Sequence, residues 1–221
     1  MNGLVVQHIG IEGPGIIADW VRERGGSIAT THLYAGDSLP DLSAVDFLIL
    51  MGGPMNIYQD RDYPWLRTER AWIKDFLATG RPAVGICLGA QFLADALGGR
   101  VTQNPVVEIG WAPVHFSAEG RERFPFLPAS QEVIHWHGDT FELPIGSIRL
   151  GSSDRCANQG FLYNDRVLGL QFHPEMNRED LTRLVEAEAL VPNGEDMLAR
   201  PDKAYTSAQD LLQQMLDGLK Y

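Results

Sequence analysis

The sequence has little of several features that define whole classes of protein. Only two cysteines occur in 221 residues, too few for a disulfide scaffold. No apolar run approaches the length of a membrane span, and the first residues lack a basic region followed by a long apolar stretch. We therefore expect neither a membrane anchor nor a leader segment. The net charge of −11 argues against unaided binding to nucleic acid or to anionic membranes. A reducing, cytoplasmic setting fits this composition.

The overall composition is that of a globular protein, with 44% hydrophobic and 21% charged residues. Alternating strand and helix patterns up to Leu97 predict a doubly wound α/β fold with a mostly parallel central sheet. After Arg100 the strands follow one another without helices, which predicts an antiparallel extension of that sheet. We expect residues 1–190 to form one domain and residues 191–221 a C-terminal helical extension packed on it. The predicted strands cover residues 4–9, 27–34, 45–51, 82–86, 106–116, 132–136, 148–152, 160–163 and 167–172. The predicted helices cover residues 15–24, 65–78, 88–97 and 178–190, with a last helix capped by Ser207.

Cys87 lies where a predicted strand ends and a predicted helix begins, with Gly85 and Gly89 on either side. This arrangement is typical of a nucleophile elbow, in which a sharp turn exposes one reactive side chain above the sheet. Unpaired backbone N–H groups at a helix N-terminus favour a thiolate. Cys87 is therefore the candidate nucleophile, whereas Cys156 has no such setting and is read as structural.

A cysteine nucleophile needs a base and a group that orients that base. His173 follows the apolar run 167–172, and Glu175 lies two residues further on, so both side chains point to the same side of an extended segment. Pro174 between them restricts the backbone. The sequence therefore predicts a Cys87–His173–Glu175 triad.

A further strand, 45–51, ends in two glycines, and glycine lets backbone N–H groups approach a ligand closely. The N–H groups of Gly53 and Leu88 are the candidate oxyanion site.

The ordered motifs together resemble the class I (triad) glutamine amidotransferases. The matching segments are Gly52-Gly53-Pro54, Gly85-Ile-Cys87-Leu-Gly89-Ala-Gln91, His137-Gly138-Asp139 and His173-Pro174-Glu175. The resemblance is to free-standing members, similar to the amidotransferase domain of GMP synthase. It implies that Cys87 attacks the γ-amide of glutamine and releases ammonia through a γ-glutamyl thioester. It further implies that Gly52, Gln91, Trp136 and His137 contribute to substrate binding, with no cofactor. Family members often supply ammonia to a synthetase, either fused or separate.

Three functions remain open at this point. The first is glutamine amide hydrolysis, and the second is hydrolysis of γ-glutamyl peptides by the same triad. In the second, the loops 55–65 and 99–107 would have to make room for the longer substrate. The third is a non-catalytic regulatory or docking role, which an intact cysteine, histidine and glutamate disfavour.

His135 and His137 are two residues apart on a predicted strand and are possible metal ligands. The sequence shows no further ligand beside them, and two ligands make a poor metal site. We therefore expect no metal, and we assign these residues to structure or to the substrate wall. Asp139 is expected to have a supporting role at most.

Overall fold

The computed structural model describes residues 1–187 and 194–221, and within them nine strands form one mixed sheet. The strands are β1 (Asn2–Gln7), β2 (Ser27–His32), β3 (Phe47–Leu50), β4 (Ala83–Ile86), β5 (Val101–Phe116), β6 (Ser130–Phe141), β7 (Ile148–Ser152), β8 (Gly160–Tyr163) and β9 (Val167–Leu170). Their order across the sheet is β2-β1-β3-β4-β9-β8-β7-β5-β6. From β2 to β9 neighbouring strands pair in parallel, and from β9 to β6 they pair antiparallel. The predicted α/β fold with an antiparallel extension is confirmed.

The helices cover both faces of this sheet. They are α1 (Ile16–Glu23), α2 (Trp65–Ala78), α3 (Leu88–Ala96), α4 (Ala118–Arg123), α5 (Arg178–Ala187), α6 (Gly194–Leu198) and α7 (Asp202–Asp217). Phe47 and Ile49 of β3 pack with α1 and α7, whereas Leu48 and Leu50 pack with α2 and α3. Successive side chains of a strand point to opposite faces, so each buried strand contributes to two cores. Among the described residues, no helix is both long and apolar enough to cross a lipid bilayer.

Two of the predicted helices differ from the structure. The last helix begins at Asp202 and not after Ser207, because Pro201 precedes it with the extended backbone that suits a helix start. Ser207 therefore lies inside α7. The helix predicted over 178–190 is α5, which is described to Ala187; residue 190 and the expected boundary at 190/191 lie outside the described residues. The short helices α4 and α6 were not predicted.

Two of the antiparallel strands, β5 and β6, are longer than expected, whereas β7 and β8 have the predicted bounds. β5 begins at Val101, so most of the segment 99–107, expected to be a loop, is strand. β5 pairs with β6 over nearly its whole length, with a register shift between Gln103 and Glu108. This long pairing extends β6 to Phe141 and places His137 inside a strand.

The helix α7 packs against the same core as α1. Leu212 and Met215 of α7 are fully buried beside Trp20 of α1. The Trp20 indole Nε1 donates a hydrogen bond to Asp217 Oδ1 at 2.9 Å. The C-terminal helix therefore completes the core that it shares with α1 on this face of the sheet.

Gly85 and Gly89 allow β4 and α3 to approach closely. Neither residue has a positive φ, so their role is space rather than backbone freedom. A Cβ at Gly85 would overlap the Gly89 carbonyl, and a Cβ at Gly89 would overlap the Leu50 carbonyl of β3. Both glycines therefore keep the start of α3 pressed against the sheet.

We expect Gly89→Ala to destabilise the fold by about 3 kcal/mol, because a methyl group against a buried backbone carbonyl forces the helix away from the sheet. Urea unfolding followed by circular dichroism measures this change. Gly13→Ala is the matched control, since a Cβ there meets no atom within 4 Å. Equal midpoints for the two variants would contradict the packing argument.

Candidate active site

Cys87 lies at the turn between β4 and α3 with an unusual backbone. Its φ of 52° and ψ of −108° are strained for a residue with a side chain. Its N–H donates to the Leu170 carbonyl of β9 at 2.7 Å, which holds the turn against the neighbouring strand. Only 6% of the residue is exposed. Cys87 is the N-cap residue of α3. Its side chain thus lies at the helix N-terminus, where the helix dipole favours negative charge.

His173 is brought beside Cys87 because β4 and β9 are parallel neighbours. Its backbone N–H donates to the Ile134 carbonyl of β6 at 2.8 Å. Its ring Nδ1 donates to Glu175 Oε1 at 2.9 Å, and both side chains are buried. Because Nδ1 is held by Glu175, the other ring nitrogen is left for proton exchange with Cys87, which lies at the end of the neighbouring strand.

The charge on the His173 ring is set by opposing effects. Burial acts to lower the pKa of His173, but the Glu175 carboxylate, together with the nearby Cys87, outweighs burial and raises that pKa well above its usual value. The arrangement therefore favours an imidazolium at neutral pH. Such a cation stabilises a thiolate beside it.

Two polar groups, the Trp136 carbonyl and the Gln171 side-chain amide, flank the Cys87 thiol. Neither contact was predicted from the sequence. The Cys87 Sγ lies 3.6 Å from the Trp136 carbonyl oxygen and 3.6 Å from Gln171 Nε2. Gln171 Oε1 in turn accepts a hydrogen bond from Gln91 Nε2 at 3.2 Å. Gln171 was missed in the sequence, although its position two residues before His173 signals the same side of an extended segment.

A cavity of about 450 Å³ opens beside Cys87. Five further candidate site residues line it: Gly53, Leu88, Gln91, Trp136 and His137. Glu12, which the sequence did not suggest, also lines it. A cavity of this size lies in the range typical of small-molecule sites.

Gly52 is placed differently and is not among the residues that line the cavity. A Cβ at this position would overlap the Glu12 carboxylate and lie 3.3 Å from the His173 ring. Only glycine therefore fits between these two side chains. The absence of a side chain at Gly52 leaves room for Glu12.

The peptide that joins Gly52 to Gly53 is held from behind by a buried histidine. His8 Nδ1 donates to the Gly52 carbonyl oxygen, 3.1 Å away, and His8 Nε2 donates to Glu69 Oε1 at 2.8 Å. Burial acts to lower the pKa of His8, but Glu69 outweighs burial and raises it. These bonds fix the peptide plane, which directs the Gly53 N–H away from His8.

The expectation that no further ligand accompanies His135 and His137 is wrong. Glu108 faces His137 across the β5–β6 pair, and its Oε2 lies 3.0 Å from His137 Nε2 and 4.0 Å from His135 Nδ1. Burial lowers the pKa of His135 to about 4. Burial opposes the charge on Glu108, but polar contacts with His137 and Ser153 outweigh it and lower the pKa of Glu108 to about 2.

Comparison with protein families gives a match over most of the chain. Residues 16–189 match the model of the family described as "Glutamine amidotransferase class-I". The glutamine amidotransferase-like protein YfeJ of Salmonella typhimurium is 32% identical over 188 residues, which cover 82% of this chain and 78% of that protein.

Two further relatives show how the chain compares with larger and with solved proteins. The glutamine-hydrolysing GMP synthase of Streptococcus mutans is 30% identical over 80% of this chain, but the match spans only 34% of that enzyme. A crystal structure of a glutamine amidotransferase from Thermotoga maritima superimposes with a TM-score of 0.89 at 32% identity. That superposition covers 98% of this chain and 96% of the other.

Proposed function

Because this chain belongs to the class I glutamine amidotransferase family, we propose that it hydrolyses the γ-amide of glutamine with Cys87 as the nucleophile. The observation that carries the proposal is the pairing of His173 with the buried Glu175 carboxylate at the end of β9, the strand beside the elbow that carries Cys87. A strained thiol at a helix N-terminus, backed by an imidazole and a carboxylate, matches the requirements of covalent catalysis.

In the first half of the reaction, the Cys87 sulfur attacks the γ-carbonyl carbon while its proton resides on His173. A carbon–sulfur bond forms, and the carbonyl oxygen becomes an oxyanion. The N–H groups of Gly53 and Leu88 are proposed to bind that oxyanion, and loss of one such donor typically costs about 3–4 kcal/mol of transition-state stabilisation. The carbon–nitrogen bond then breaks, and ammonia leaves with the proton from His173.

In the second half, water attacks the γ-glutamyl thioester. His173 removes a proton from that water, and the carbon–sulfur bond breaks to give glutamate and free Cys87. Glu175 holds the ring orientation throughout, because its carboxylate accepts the Nδ1–H. Cys87 must stay a free thiol for this chemistry, so we propose a reducing, cytoplasmic setting.

Substrate is proposed to lie in the cavity beside Cys87. Gln91 and the backbone at Trp136 and His137 line that cavity and are proposed to hold the α-amino acid end of glutamine. Gly52 is proposed to contribute by letting Glu12 approach His173 rather than by touching substrate itself.

One observation favours γ-glutamyl peptides as a second substrate class. The cavity extends past Cys87 to polar side chains from the loop after β3 and from β6. Asn56, Gln59 and Asp139 lie on this wall, and Asn56 Nδ2 donates to Asp139 Oδ2 at 2.6 Å. A γ-glutamyl peptide would place its leaving amino acid against these groups. The triad chemistry would be the same.

Delivery of ammonia to a synthetase is a further proposal. The match spans only 34% of the glutamine-hydrolysing GMP synthase of Streptococcus mutans, so we propose that a synthetase partner outside the matched region supplies the acceptor chemistry. The ammonia acceptor of this chain would then bind to that partner.

The test is a substrate screen on the purified full chain. We expect ammonia release from glutamine, no release from asparagine, and a Cys87-linked γ-glutamyl adduct detected by mass spectrometry after rapid acid quench. Release of an amino acid from γ-glutamyl dipeptides without glutaminase activity would show that γ-glutamyl peptides, and not glutamine, are the substrate. Absence of both activities, with no labelling by a diazoketone analogue of glutamine, would leave the regulatory role and end the catalytic proposal.

A further inference from the structure

Glu108, His135 and His137 form a buried cluster behind the wall of the main cavity. One ligand atom from each lies within 4.8 Å of the other two, and all three residues are buried. The cluster has no role in the triad chemistry. We call it the β5–β6 cluster, after the two strands that carry it.

The backbone fixes which nitrogen of each ring faces the carboxylate. His135 Nε2 lies 3.2 Å from the Ala112 carbonyl oxygen, and His137 Nδ1 lies 2.9 Å from the Asp139 carbonyl oxygen. Because a carbonyl oxygen only accepts, both of these nitrogens carry the proton. In neutral rings the opposite nitrogens therefore present lone pairs.

Those two inward nitrogens, His135 Nδ1 and His137 Nε2, are buried without a hydrogen-bond partner. His137 Nε2 lies 3.0 Å from Glu108 Oε2 but without hydrogen-bonding geometry. Two lone pairs and a carboxylate thus converge in a buried space. The two nitrogen lone pairs and the carboxylate oxygen repel one another at this range unless a cation lies between the three atoms.

We propose that Glu108, His135 and His137 bind a divalent metal ion of the zinc class. Two imidazoles and one carboxylate are a ligand set that Zn²⁺ and similar ions accept, with bonds of about 2.0–2.2 Å. Ligands at that range from one tetrahedral ion are separated by about 3.3–3.5 Å. The present separations of 3.0 and 4.0 Å lie on either side of this value, so small side-chain rotations would complete the site.

The surroundings of the cluster suit a metal site. Ser153 Oγ donates to Glu108 Oε1 at 2.7 Å, and Gln159 Nε2 donates to Glu108 Oε2 at 2.6 Å. Hydrogen bonds of this kind orient a ligating carboxylate, as the two backbone carbonyls orient the rings. Glu108 and Ser153 also line a second cavity of about 330 Å³, which provides an access route for an ion and for a fourth, water ligand.

A bound ion would act on the main site through Trp136, which lies between the two histidines in sequence. The Trp136 carbonyl oxygen is 3.6 Å from the Cys87 sulfur. The ion would therefore stiffen the wall beside the thiol without taking part in bond breaking. This inference does not depend on the identity of the substrate.

The experiment is a metal titration of the full chain with Cys87→Ala as the background, so that the thiol at residue 87 cannot bind the ion. After dialysis against a chelator, Zn²⁺ is added in competition with a chromophoric chelator. We expect one equivalent of tight binding per chain. Glu108→Gln, His135→Gln and His137→Gln are each expected to weaken binding by at least about 100-fold, more than loss of an orienting partner typically costs.

The matched control is His115→Gln, which removes a partly exposed histidine from β5, the strand that carries Glu108. Binding should be unchanged in it. A second readout uses Co²⁺ bound to the background protein, whose visible spectrum should show nitrogen and oxygen ligation without a thiolate charge-transfer band. This spectrum tests the ligand set even where a cluster variant fails to fold.

Three outcomes would overturn the inference. They are no stoichiometric Zn²⁺ binding, equal affinity in the cluster variants, and a thiolate band that assigns the ion to Cys156. Absence of binding would mean that a proton shared between His137 and Glu108 supplies the positive charge. Activity with glutamine is measured separately in the unsubstituted chain, so failure of the metal site and failure of the proposed reaction are distinguishable.

Discussion

Cys87→Ala is expected to abolish ammonia release from glutamine while the fold is retained. The methyl group cannot form the thioester, and the other cysteine, Cys156, lies on a different segment with its Sγ 3.2 Å from Thr140 Oγ1. We expect a loss of at least about 10⁴-fold in kcat, because covalent catalysis and its proton transfers disappear together. A coupled ammonia assay measures the rate, and circular dichroism confirms the fold.

Cys156→Ser is the matched control for this result. Cys156 is also a buried free cysteine, but its Sγ contacts Thr140 Oγ1 at 3.2 Å and burial raises the pKa of its thiol. It should remain unlabelled by the diazoketone analogue, and its substitution should leave glutamine turnover near the unsubstituted rate. Turnover that survives Cys87→Ala, or that is lost only in Cys156→Ser, would show that the nucleophile has been assigned to the wrong residue.

Glu175→Gln is expected to lower kcat/KM by about 10³-fold, within the range that general acid–base catalysis contributes. The amide is nearly the same size as the carboxylate, so the ring position survives while its charge partner is lost. Glu175 raises the pKa of His173, so that pKa must fall in the variant. Departing ammonia needs the proton of the imidazolium, and the alkaline limb of the kcat/KM profile should therefore move to lower pH.

The control for this prediction is Glu179→Gln, which removes an exposed carboxylate that pairs with Arg183 on α5. Its rate and pH profile should match those of the unsubstituted chain. A Glu175→Gln variant whose alkaline limb stays in place would mean that Glu175 only packs against the ring and does not set its charge.

Much of this site could be predicted because its parts are local. The elbow around Cys87 and the pair formed by His173 and Glu175 each lie within a few residues, where glycine spacing and strand alternation are informative. The helix over 65–78 was predicted with both ends correct, and Gly80, a local stop signal, follows it.

The parts that local patterns cannot show depend on pairing between distant segments. The adjacency of β4 and β9, which joins the two halves of the candidate triad, is a property of sheet order that local patterns do not encode. The position of Glu108 opposite His137 depends on the β5–β6 register and on the irregularity after Gln103. A one-residue change of register would turn Glu108 to the other face. The sequence therefore contains the ligands of the β5–β6 cluster without revealing that they meet.

The position of β9 also bears on how the protein is made by the ribosome. β9 is the fifth strand in the sheet order but the last in the chain, between β4 and β8. While translation proceeds, β4 has an open edge until residues 167–170 emerge, and Trp20 stays uncovered until α7 follows. Open edges of apolar strands invite pairing with other nascent chains. During synthesis, the β4 edge would therefore stay open to such pairing until residues 167–170 emerge from the ribosome.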